Sequence, residues 1–425
     1  MRRFRIIFVG TIVVLAACSG TDVTAGPSQR QEAVPQEPSA PSTTPSVSSS
    51  TEPPTATAPS IAPTTVLPVL LAEVTTEWNT DWSKRTIDLE DFRVGVFFSD
   101  PRDVIPPLDT PTFTSVAEAD LEGREPGIVV EVADNARFYP LRILNLHEVV
   151  NDEIGGTFVA VTYCPLCNSA VAFDRRVNGE VLTFGTSGLL RNSDLVMWDR
   201  NTESLWQQIT GEAVVGELAG TTLEILPSSI VRFSDFAGAY PPGLVLSPDT
   251  GIFGAYGVNP YVGYSSAEAP NPAFFRGEPD DRLPALERVI GVNLGTEDKA
   301  YPFTEMAEIR VFNDVLGGES IVVFWGAADT ADALDANRVE TGRAIGTGSA
   351  FLRTVDGRTL TFVLAESDGD LYLDLETGST WNLLGHGIAG PLDGSRLQLA
   401  VHTNSFWFAW SAFHPDGILF TGDSD

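Results

Sequence analysis

Phe138-Tyr139-Pro140-Leu141, followed by Asn151-Asp152, Gly155-Gly156 and Val161-Thr162-Tyr163, is the key to the architecture, because the chain uses it twice. The second use reads Ala300-Tyr301-Pro302-Phe303, Asn313-Asp314, Gly317-Gly318 and Val323-Phe324-Trp325. Further along, Asp199, Thr202, Ser204 and Trp206 answer to Asp374, Thr377, Ser379 and Trp381. Gly211, Gly216, Leu218, Gly220, Leu223, Pro241 and Gly243 then answer to Gly385, Gly390, Leu392, Gly394, Leu397, Pro415 and Gly417. Chance does not keep Gly, Pro, Asp and Trp in order over so long a stretch, so the pattern predicts a tandem duplication. Tyr139 and Tyr301 are 162 positions apart, but Asp199 and Asp374 are 175 apart. The second copy is therefore expected to carry an insertion within 326–373.

The expected fold class is α+β and strand-rich, with two similar tandem units, 122–246 and 284–420, packed about a pseudo-twofold axis. Residues 247–283 would connect the units, and 69–121 would be an amino-terminal extension packed on the core. In the first unit, alternation predicts strands at 128–132 and 136–141 around Asp134-Asn135, and then at 157–163, 170–175, 181–185 and 195–198. Asn178-Gly179 is a hairpin turn signal. Helices are expected at 141–150, 229–239 and 405–413.

The chain's start carries an address. Arg2, Arg3 and Arg5 precede an apolar run over 6–17, too short for a stable membrane span. The run ends in Leu15-Ala16-Ala17-Cys18, a lipobox pattern in which Cys18 would be the lipidated residue. Residues 1–18 then read as a lipoprotein signal peptide. Residues 19–68, dominated by Ser, Thr, Pro, Ala and Glu, read as a disordered tether that cannot bury enough apolar surface to fold. The expectation is an extracytoplasmic protein whose membrane partner is reached through a lipid anchor. With 26 Lys+Arg against 57 Asp+Glu, the formal net charge of −31 repels phosphate backbones and excludes nucleic acid as a partner. Protein partners are not indicated.

The repeat acts as an internal control for chemistry. Residues shared by both copies serve the fold; reactive residues held by one copy are candidates for function. His147, Cys164 and Cys167 belong to the first copy only, facing Ile309, Gly326 and the divergent region of the second. Cys164-Pro165-Leu166-Cys167 follows an apolar strand, and two thiolates at that spacing can hold one soft metal ion. His147 would be a third ligand, with His402 or Met197 as a fourth, a set suited to copper, with zinc as the alternative. Glu148, Arg191 and Asp194 are polar residues expected to support the site. Three other readings compete. A disulfide closing so small a loop constrains the chain little. A thioredoxin-like dithiol would open a helix, whereas 170–175 alternates like a strand. His147 can also be a satisfied helix residue. No nucleophile elbow, phosphate loop or Ser–His–Asp order stands out.

The runs Tyr139-Pro140-Leu141-Arg142-Ile143-Leu144-Asn145-Leu146-His147-Glu148 and Thr162-Tyr163-Cys164-Pro165-Leu166-Cys167-Asn168-Ser169-Ala170 together resemble the uncharacterised DUF3179 family. So do Gly188-Leu189-Leu190-Arg191-Asn192-Ser193-Asp194-Leu195-Val196-Met197, Glu203-Ser204-Leu205-Trp206-Gln207-Gln208, Asp281-Arg282-Leu283-Pro284-Ala285 and Phe406-Trp407-Phe408-Ala409-Trp410. The resemblance implies an exported bacterial or archaeal protein and lends no activity, fold or ligand. The residues themselves suggest a metal-binding lipoprotein, redox-active if the site keeps an open position, against a non-enzymatic scaffold or an extracytoplasmic thiol-disulfide protein.

Overall fold

A computed structural model describes residues 66–422, apart from 253, 272, 328, 367 and 368, all within one compact unit, Pro63–Asp425. Cys18, the signal peptide and most of the tether lie outside the described residues. Strands dominate, with five short α-helices among them. No helix among the described residues is long and apolar enough to cross a membrane.

The molecule is α+β and strand-rich, and its elements come in matched sets. Strands Pro126–Val132 and Asn135–Pro140 form a hairpin, followed by the helix Leu141–His147 and the strands Val149–Ile154, Thr157–Cys164 and Ser169–Asp174. Arg288–Leu294, Glu297–Pro302, the helix Phe303–Ile309, Val311–Leu316, Glu319–Gly326 and Thr347–Leu352 follow in the same order. Sheet order matches as well. Ser228–Arg232, Pro126–Val132, Asn135–Pro140 and Leu244–Leu246 lie side by side, as do His402–Phe406, Arg288–Leu294, Glu297–Pro302 and Ile418–Leu419. In both, the last strand joins the third in parallel, Leu244 facing Arg137 and Ile418 facing Lys299.

The shared residues explain these matches. Tyr139 donates its hydroxyl to Asp152 at 2.5 Å and Tyr301 to Asp314 at 2.7 Å, tying each first hairpin to the next strand. Asn151 exchanges two hydrogen bonds with the Phe184 backbone, at 2.7 and 2.9 Å, and Asn313 does so with Phe362 at 2.8 and 2.9 Å. Asp199 accepts from Trp206 Nε1 and Thr202, as Asp374 does from Trp381 Nε1 and Thr377. Gly211 and Gly385 have φ of +70° and +74° and sit against Phe173 and Phe351, where an added Cβ would fall 2.7 Å from the ring.

The two sets dock reciprocally. Ser228–Arg232 lies along Thr347–Leu352, with Thr347 Oγ1 donating to the Ile230 carbonyl. His402–Phe406 lies along Ser169–Asp174, with Thr403 Oγ1 donating to the Ala170 carbonyl at 3.2 Å. One apolar core runs through this seam, holding Cys164, Cys167, Met197 and Trp206 together with Phe406, Phe408 and Ala409.

Several expected elements need correction. The helix expected over 141–150 stops at His147, because Glu148 takes φ +58° and the chain turns straight into a strand. The helices expected at 229–239 and 405–413 each begin as a strand, Ser228–Arg232 and His402–Phe406, before Phe233–Ala239 and Trp407–Phe413. Ordering these edge strands at the seam outweighs their helix-compatible spacing. The segment 181–185 divides between Glu180–Val181 and Phe184–Arg191. The first hairpin turns at Ala133-Asp134, one residue before the expected pair, whereas Asn178-Gly179 does form its turn.

Candidate metal centre

The strand Thr157–Cys164 ends at Cys164, which faces Ser169 as the last pair of its hairpin. Pro165 to Asn168 make the turn, with Cys167 N–H donating to the Cys164 carbonyl and Asn168 in the left-handed region at φ +50°. Asn168 also accepts the Tyr163 hydroxyl at 3.1 Å. This tight turn sets both sulfurs on one side of the hairpin tip. In the corresponding strand the chain continues past Gly326 into a long loop, 327–346, before resuming at Thr347.

Asp194 comes from another sheet. The two-residue turn Asn192-Ser193, both with positive φ, closes the hairpin between Phe184–Arg191 and Asp194–Asp199 and sets Asp194 at its tip. The ligand atoms of Cys164, Cys167 and Asp194 all lie within 4.8 Å of one another, and all three residues are buried. Both cysteines are free thiols, the Cys164 thiol donating to the Ser193 carbonyl at 3.7 Å, and both lie in reach of the Asp194 carboxylate. That carboxylate also accepts Gln207 Nε2 at 2.6 Å and the Ile209 N–H at 3.0 Å. Gln208 bridges behind it, accepting the Ser169 hydroxyl at 2.7 Å and donating to Thr162 Oγ1 at 2.9 Å. Arg191 donates to Gln207 Oε1 and lies over the Phe413 ring, so it supports the glutamine from outside.

Burial governs the electrostatics. It raises the Cys164 and Cys167 thiols above their ordinary range and raises Asp194 to about 6. Glu148, in electrostatic reach of Cys164 and Asp194, is raised by burial to about 8, its carboxylate accepting, among the described residues, only the Tyr261 hydroxyl at 3.4 Å. Four acids thus share a buried pocket. Ser193 Oγ and Tyr264 Oη have no hydrogen-bond partner among the described residues, although Ser193 adjoins Cys164 and Tyr264 lies in reach of both thiols. In the matching corner of the other half, Arg310 takes the place of Glu148 and pairs with Asp370, beside Gly326.

Two segments without a counterpart cover this corner. Tyr261, Tyr264 and Phe275 come from the 247–283 connection, and Leu334 comes from the 327–346 loop. The two segments bind each other through Asn259 N–H to the Asn337 carbonyl, Gly263 N–H to the Asp335 carbonyl and Val339 N–H to the Gly257 carbonyl. Asp332 fastens the loop by accepting from Ser265 at 2.6 Å and from Arg288 at 2.8 Å.

The histidines expected as ligands are elsewhere. His147 Nδ1–H donates to the Pro106 carbonyl at 2.6 Å, and Nε2 accepts the Tyr256 hydroxyl at 2.7 Å. Both nitrogens are committed, and the ring belongs to the support of the helix end. His402 Nδ1–H donates to the Ala400 carbonyl at 2.8 Å, and Nε2 meets Ser229 Oγ at 3.1 Å. Met197 is wholly buried in the apolar core beside Trp206. The structure therefore brings Cys164 and Cys167 together with Asp194, and with Glu148 close behind. The sequence leads one to expect both carboxylates as supporting residues rather than ligands. Gln207, Gln208, Ser193, Tyr261 and Tyr264 were not foreseen, although both glutamines stand in the Glu203-to-Gln208 run.

The family model described as "Protein of unknown function (DUF3179)" matches residues 102–417. The chain belongs to the DUF3179 family. Every residue of the cysteine site in this DUF3179 chain falls inside the matched span. No curated protein and no solved structure matches it.

Proposed function

We propose that this DUF3179 protein is a membrane-tethered extracytoplasmic lipoprotein that binds one transition-metal ion through Cys164, Cys167 and Asp194. The observation that carries the reading is the buried convergence of two sulfurs and a carboxylate. Ions of this class bond sulfur and oxygen at about 2.0–2.3 Å, and so the cluster needs only a small contraction around an ion. The surroundings fit a bound cation. Buried acids held above their ordinary range are relieved when a positive ion enters and displaces the thiol protons to solvent. The carboxylate is oriented by Gln207 and the Ile209 N–H, the kind of outer hydrogen bonding that ligating carboxylates have.

Copper was the expectation while imidazole and thioether completed the set. With a carboxylate in their place the donors are harder, and we assign zinc ahead of copper. A thiol-disulfide function is less favoured. Reactive dithiols need a lowered thiol pKa, and here burial pushes both thiols up. The paired elements on either side of the seam support a tandem duplication whose first copy alone acquired the site.

Competition titration of the reduced chain with zinc tests this. We expect one ion per chain, with binding lost in a Cys164→Ser, Cys167→Ser double variant. Binding no tighter than micromolar, or unchanged in the double variant, sinks the proposal.

A further inference from the structure

Away from the cysteine pocket, a cleft of about 410 Å³ opens between the halves, lined by Glu131, Ser229, Tyr240, His386, Arg396 and Gln398 among others. The strand Ser228–Arg232 presents Ser229 to it. Behind Ser229 lies the buried His402, whose tautomer is set by its neighbours. The Ala400 carbonyl can only accept, so Nδ1 carries the proton, and the Nε2 lone pair faces Ser229 Oγ at 3.1 Å. Ser349 donates its own hydroxyl to Ser229 Oγ at 3.0 Å, leaving the Ser229 proton for His402. Nucleophile, base and the group that orients the base thus stand in line, with a backbone carbonyl in the third place. Ser229, Ser349 and His402 come from three strands of both halves, which is why no Ser–His–Asp order marks them in the sequence.

We propose that Ser229 and His402 form a second site, a nucleophilic serine with its base, acting on carboxylic esters with a short apolar acyl group. Val129, Phe351, Leu384 and Leu397 supply apolar wall for such a group. Ser229 Oγ attacks the carbonyl carbon while its proton passes to His402 Nε2. The C–O bond to the alcohol then breaks, and the alkoxide leaves with that proton. Water, deprotonated by His402, releases the acid and restores Ser229, so no reagent besides ester and water is used. Arg396, paired with Glu131, and Gln398 line the same cleft and would offer N–H donors to the carbonyl oxygen. Burial keeps the resting imidazole neutral at neutral pH, with its lone pair free, and also makes it a weak base, so the proton from Ser229 is held there only in passing.

An alkyl fluorophosphonate tests the site, because the same attack displaces fluoride and leaves a stable Ser229–phosphorus bond. Mass spectrometry of the labelled full chain is expected to find the adduct on Ser229. It should be absent in Ser229→Ala and about a hundredfold slower to form in His402→Gln. An unlabelled Ser229 in the folded parent chain overturns the proposal, as does a folded His402→Gln that labels at the parent's rate. Should His402→Gln fail to fold, the choice of Ser229 over the other serines of the parent still decides the matter.

Discussion

Single side chains decide where charge is tolerated. Gln207 touches no ion in the proposed site but holds the Asp194 carboxylate at 2.6 Å. Gln207→Leu is therefore expected to weaken zinc binding roughly 10- to 100-fold without abolishing it, readable by competition titration. Asp194→Asn removes a charged donor and is expected to cost more. His402 is held well below its ordinary value, at about 4 from 6.5, by burial. The unfolded chain thus takes up from solvent, near pH 6.5, a proton that the resting folded chain takes up only near pH 4. Stability is fully present above about pH 6.5 and falls as pH drops towards about 4. At about 1.4 kcal/mol per pKa unit, the loss is on the order of 3 kcal/mol. Denaturant melts between pH 7 and 4 should show this slope, and His402→Gln should flatten it. A slope unchanged in the variant would assign the acid sensitivity to other groups.

The clips between strands belong to the scale of elements. Asn151 and Asn313 each use both ends of the amide to hold a neighbouring backbone, at Phe184 and Phe362. Truncation leaves a backbone N–H and carbonyl without partners, so Asn151→Ala and Asn313→Ala should each destabilise by about 1–3 kcal/mol. The two sites share no partner, so the double variant should approach the sum in urea unfolding. These clips, the Tyr–Asp pairs and the Asp–Trp pairs were legible in the sequence because the chain writes each of them twice. The strands Ser228–Arg232 and His402–Phe406 were not. Their apolar spacing also fits a helix, and only docking across the seam settles them as strands. The site was half legible for the same reason. Cys164 and Cys167 stand out as residues of one half only, but Asp194 reaches them from a separate hairpin, and sequence spacing carries no record of that approach.

Across the whole molecule, charge and asymmetry act together. A net charge of −31 repels itself, and salt screens that repulsion. The melting temperature is therefore expected to rise as sodium chloride is raised from millimolar to molar concentrations, and a maximum at low ionic strength would contradict this. The asymmetry lies in the seam. Two matched sets of strands dock reciprocally, yet only one corner carries thiols, and the 247–283 connection and the 327–346 loop both close over it. The other corner is neutralised internally by Arg310 and Asp370. A shared scaffold with one furnished corner is the central claim. Anomalous diffraction from crystals of the reduced chain grown with zinc tests it most directly. A single ion bonded to Cys164 Sγ, Cys167 Sγ and an Asp194 oxygen, with sulfur distances of about 2.3 Å, is the predicted result. An ion bound only elsewhere, or a Cys164–Cys167 disulfide with no ion beside it, would contradict it.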